Sequence, residues 1–189
     1  MQLRHLLPAA ALAAMPAHAQ EAVLEVFVQD GSAFDLILVR HAGGCDAVSG
    51  RLTVDFGPSQ GRVVIDTEYG GGGTLHPAEV RVTSGPAEVA PVPDGARALD
   101  IALIALAPEG EVVLTLDIDS EREAGGQRRI VATAHDIEGA VVRFVAQGQQ
   151  GQDGQAAQAV FGDAGAAILL VPCVPPGLVA LEVADRAAS

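Results

Sequence analysis

Apolar and polar positions alternate one for one along most of the chain, the period of a strand with one face in a core and the other in water. The run "RLTVDF" is typical. Leu52, Val54 and Phe56 fall on one face, and Arg51, Thr53 and Asp55 on the other. Similar short runs recur at 24–28, 34–40, 62–69, 78–84, 98–106, 111–119, 128–134, 140–146, 158–162, 166–172 and 178–183. Turn signals separate most of them: Gly57-Pro58, the glycines at 70–73, Pro93-Asp94-Gly95, Pro108-Glu109-Gly110 and Gly125-Gly126. No segment holds a 3.6-residue apolar period over a helical length. The pattern predicts an all-β chain of about 10–12 short strands folded as an antiparallel β-sandwich, of which a jelly roll is one form.

The two ends need separate treatment. Residues 1–19 carry a basic start at Arg4, an apolar stretch from Leu6 to Ala14, and small residues at Ala17-His18-Ala19. They read as a secretory signal peptide. The apolar part is too short to cross a bilayer as a helix. The mature chain is then 20–189, long enough for one domain with a sizeable core. Near the other end, the apolar stretch 166–183 contains three prolines and Glu182. That composition fits two core strands joined by a proline-rich connection better than a membrane span. The polar, Gly-rich stretch 147–158 reads as a loop.

Composition narrows the function classes. The whole chain has a net charge of −13. Beyond residue 19 there are ten arginines, no lysine and 24 acidic residues, for a charge of −14. Such a surface repels nucleic acid. It suits solubility outside the cell or the collection of cations. Cys45 and Cys173 are the two cysteines, and in an exported protein an even count predicts a disulfide. With no Trp, one Tyr and five Phe, the chain is short of the aromatic platforms on which sugar rings stack.

Motifs for catalysis are weak. "GPSQG" at 57–61 matches the G-x-S-x-G of a nucleophile elbow, but Ser59 lies between two strand patterns with no helix after it. It reads as a loop serine. His41, His76 and His135 are single and widely spaced, with no pair at ligand spacing. "YGGGGTLHP" lacks the Lys-Ser/Thr ending of a phosphate loop. The chain is therefore expected to be non-catalytic, the alternative being a secreted hydrolase or carbohydrate-active accessory protein with a loop-built site.

One run is chemically pointed. In "EVVLTLDIDSE" Val112, Leu114, Leu116 and Ile118 form an apolar face, while Asp117, Asp119 and Glu121 share the opposite one. Two readings stay open. The carboxylates are the wet face of a strand, or they supply part of a Ca2+ site, which needs six to eight oxygens. The spacing is not that of an EF-hand, since Arg122 and Arg128 stand at the positions of its glycine and its final glutamate.

Several stretches together resemble exported bacterial proteins labelled "aggregation factor core". They are "HAGGC", "LTVDFGPSQGRVVIDT", "VPDG" before "ALDIAL", "APEGEVVLTLDIDSE", and "IEGAVVRF" followed by "AVFG", spread over most of 23–173. The label derives from sponge adhesion proteins that associate cells in a calcium-dependent way. The resemblance implies a secreted or periplasmic adhesion-like sandwich, with a protein or extracellular-matrix partner and no enzymatic chemistry.

Overall fold

The computed structural model describes residues 21–30, 34–69, 77–121, 123–124, 127–128, 132–148 and 156–173. The expected leader, His76, the glycines at 70–73 and the expected strand at 178–183 lie outside them. Among the described residues the chain is an antiparallel β-sandwich of two five-stranded sheets.

The first sheet runs in the order β14 (Ala166–Pro172), β1 (Glu21–Gln29), β2 (Asp35–His41), β8 (Glu111–Leu116) and β5 (Arg81–Ser84). The second runs β13 (Ala157–Val160), β12 (Val141–Ala146), β3 (Val48–Asp55), β7 (Ala98–Leu106) and β6 (Ala87–Val89). Alternation sets which side chains turn inward. Leu24, Val26, Ile37, Val39, Val112 and Leu114 come from one sheet; Leu52, Val54, Ile101, Val142 and Phe144 meet them from the other. These join in one buried cluster, in which Phe56, Phe144 and Phe161 are the largest fully buried side chains. Truncating such a residue to Ala typically costs about 3–5 kcal/mol.

The chain passes directly between the sheets from β2 to β3, β5 to β6, β7 to β8 and β13 to β14. The hairpins β1–β2, β6–β7 and β12–β13 stay within one sheet. Two short ribbons complete the fold: β4 (Val64–Ile65) with β9 (Ile118–Asp119), and β10 (Glu123–Ala124) with β11 (Gln127–Arg128). A single helical turn, α1 (Ala134–Ile137), follows.

Three local expectations change. The alternating run 62–69 pairs only at Val64–Ile65, because Arg62 closes a turn on Ser59 with positive φ. The run 128–134 is not one strand: Thr133 precedes α1, and its N–H and hydroxyl both donate to the Asp136 carboxylate, at 3.0 and 2.7 Å. Strand β6 was not foreseen. Its three residues are too few to show a period.

The cysteines are joined, with Cα atoms 5.6 Å apart and a sequence separation of 128. The bridge ties the loop after β2 to the end of β14. Gly44, beside Cys45, has φ +109 and packs so closely on the Glu21 carbonyl that a Cβ there would overlap it. This explains a glycine before the cysteine in "GGC". Among the described residues no helix is long and apolar enough to cross a membrane.

Candidate metal centre

The periodic run at 111–121 serves two different pieces of the fold. As β8 it pairs with β2 as far as Asp35 opposite Leu116. There the ladder stops. The Asp35 carboxylate takes the backbone N–H of Ile118 at 2.9 Å, and the chain turns to pair with β4 instead. Ile65 then lies opposite Ile118, and Val64 opposite Asp119. Extending this register places Asp66 across from Asp117, and its N–H donates to the Asp117 carbonyl at 2.9 Å.

Register explains the cluster that results. Residues directly opposite on antiparallel strands share a face, as do residues two apart on one strand. Asp66, Asp117 and Asp119 therefore converge, with one carboxylate oxygen from each lying within 4.8 Å of the others. Among the described residues this is the group of His, Cys, Asp and Glu close enough together that it could hold a metal ion. Asp66 is 1% exposed and Asp119 4%, while Asp117 is half-buried.

Neighbouring loops brace this arrangement. Ile65 bonds the 93–96 loop in both directions, through Ala96 carbonyl at 2.8 Å and Gly95 N–H at 2.9 Å. Asp94 in that loop accepts the N–H of Thr67 at 3.0 Å, so a fourth carboxylate sits beside the chain at Asp66. Ser120 is buried and donates its hydroxyl to the Gly61 carbonyl at 3.0 Å.

Of the three carboxylates singled out in the sequence, Asp117 and Asp119 come together. Glu121 turns to Arg97 and Arg62, its carboxylate 2.7 and 3.3 Å from their guanidinium groups, and stands outside the cluster. The wet-face reading fails at Asp119, which is buried. Asp66 was missed, because it lies 51 residues before Asp117 and only the β4–β9 pairing joins them.

The other candidates have structural partners. Ser59 is buried, and its hydroxyl oxygen accepts the Val63 N–H at 3.0 Å. His41 is buried on β2 with Nδ1 3.0 Å from the Leu106 carbonyl. Exposed His135 lies 3.2 Å from Glu138.

Energetics point to what the cluster can do. Two ionised carboxylates at 4.8 Å repel by about 3.5 kcal/mol at an effective dielectric of 20. Three such pairs approach the whole stability of a domain, about 5–15 kcal/mol. A divalent cation between them converts that repulsion into attraction. An all-oxygen donor set suits Ca2+ or Mg2+, whereas Zn2+ favours nitrogen and sulfur ligands. No protein-family model, curated protein or solved structure matches the chain.

Proposed function

We propose that this chain is an exported, non-catalytic β-sandwich module that binds Ca2+ and acts in adhesion-like association with a protein or matrix partner. The observation that carries the reading is the convergence of Asp66, Asp117 and Asp119, two of them buried. Carboxylates removed from water are hydrogen-bonded, protonated, or paired with a cation. Here the strands themselves bring three together. Ca2+ takes six to eight oxygens and accepts irregular geometry, so three carboxylates with backbone carbonyls and water suit it better than the strict octahedron of Mg2+.

Export is supported by the leader-like first 19 residues and by the Cys45–Cys173 bridge, a bond that persists in oxidising compartments. The non-catalytic part is supported by Ser59, the one motif serine, whose hydroxyl is engaged inside the protein. Sugar binding has little to recommend it. Of the aromatic side chains only Phe34 and Tyr69 are well exposed.

Calorimetric titration of the chelator-treated protein with CaCl2 tests the reading. Extracellular calcium modules bind with dissociation constants of about 10⁻⁴–10⁻³ M. One saturable site in that range or tighter is expected, weaker for MgCl2 and lost in the double variant Asp117→Asn, Asp119→Asn. A wild-type protein that shows no saturable heat at millimolar calcium sinks the proposal.

A further inference from the structure

The two sheets differ on their outer faces. That of the second sheet mixes Arg51, Thr53, Asp100, Arg143 and Gln158 with two exposed apolar residues, Ile104 and Val160. That of the first carries an apolar band, in which Ala166, Phe27, Leu38 and Val113 stand in one row across four strands. The band ends at β14, the sheet's edge, where Ile168 and Leu170 are 63% and 60% exposed.

That edge is also open in its backbone. The Val28 N–H donates to the Gly165 carbonyl at 2.9 Å, and the register continues to Glu21 opposite Pro172. Bonded and non-bonded pairs alternate in an antiparallel ladder. Ala167, Leu169 and Val171 therefore turn their backbone groups to β1. Ala166, Ile168 and Leu170 turn theirs outward; the Ala166 carbonyl accepts the Gly162 N–H at 3.0 Å, and among the described residues no strand pairs with Ile168 and Leu170. Proteins usually blunt such an edge with charge, proline or a bulge. Residues 166–172 hold no charge, and Pro172 stands only at the end.

We infer that β14 is the interface through which two copies of this chain join, edge to edge, into one continuous ten-stranded sheet. The strand is self-complementary about its midpoint, Leu169. A two-fold axis there sets Ile168 opposite Leu170 of the partner subunit, and both are residues whose N–H and C=O face the edge. The four exposed side chains then pack side by side on one face. Charge permits this at β14 more readily than elsewhere on so acidic a chain. The nearest charged residue on the outer face is Glu25, opposite Ile168, and Arg40 lies 3.8 Å from it. The pairing uses no group of the Asp66 cluster and is independent of calcium.

Light scattering after size exclusion, from low to high micromolar concentration with calcium or with chelator, tests the interface. The wild type is expected to pass from monomer to dimer in both buffers. Ile168→Lys and Leu170→Lys, each at an exposed position, should leave it monomeric with unchanged circular dichroism and melting. For register, Ile168→Cys mixed with Leu170→Cys should form an intermolecular disulfide faster than either variant alone. A wild type monomeric throughout leaves the edge to another occupant, the chain's own residues 178–183 included, and overturns the inference. A dimer that survives both lysines, or equal cross-linking in all mixtures, overturns it as well.

Discussion

Replacing Asp66 by Asn keeps the size of the side chain and removes one of three charges. At 4.8 Å each ionised pair costs about 3.5 kcal/mol at an effective dielectric of 20, and Asp66 belongs to two of the three pairs. The ceiling on relief is thus about 7 kcal/mol. Hydrogen bonds and water at half-buried Asp117 reduce it, and a gain of about 1–3 kcal/mol in the calcium-free protein is the expected outcome. Calcium acts in the opposite sense. At a hundred times its dissociation constant it stabilises the wild type by about 2.7 kcal/mol. For a domain of this size 1 kcal/mol moves the melting temperature by about 2–4 °C. Wild type should therefore melt about 5–10 °C higher in calcium than in sodium chloride of matched ionic strength, which reproduces any screening. Asp66→Asn should melt above wild type in chelator and gain almost nothing from calcium. A variant that melts below wild type in chelator and still gains the full calcium increment would refute the reasoning, since the carboxylate would then neither repel its neighbours nor bind.

Ser59→Ala tests the turn that precedes β4. It leaves the buried Val63 N–H without its acceptor, and urea unfolding should show a loss of about 1–3 kcal/mol; no loss would mean that Ser59 behaves as the simple loop serine its sequence suggests. Replacing Cys45 and Cys173 together opens a loop of 128 residues, for an expected loss of about 4–5 kcal/mol in the chain-entropy model. The urea midpoint of the double variant against wild type measures it, and equal midpoints would show that the bridge does not restrain the unfolded chain.

Much of the fold was legible because it rests on a two-residue period. β1, β2, β3, β7, β8, β12 and β14 all lie within or beside an alternating run, and the inward residues of each are those on the apolar face. What escaped was short or non-periodic. α1 is one turn, and no pattern of four residues can show a helical period. β4 kept two residues of an eight-residue alternation, because the turn at Ser59 to Arg62 and the 93–96 loop compete for the same backbone. The disulfide followed from counting, since two cysteines allow one intramolecular pairing.

The site was half legible, and the reason is physical rather than statistical. Asp117 and Asp119 share a face by parity alone, which any strand would give them. Whether that face is wet depends on what lies across from it. The Asp35 carboxylate captures the Ile118 N–H, ends the β2–β8 ladder, and passes the chain to β4. That single exchange buries Asp119, sets Asp66 opposite Asp117, and carries Glu121 on toward Arg97. No local property of residues 117–121 encodes it, because the deciding group lies more than eighty residues upstream. Asp66 had one weak local mark, a carboxylate at the end of the apolar run "VVI", where aspartate is disfavoured within strands. Three aspartates kept in or beside short strands, against that preference and against their mutual repulsion, share one account if a cation holds them together.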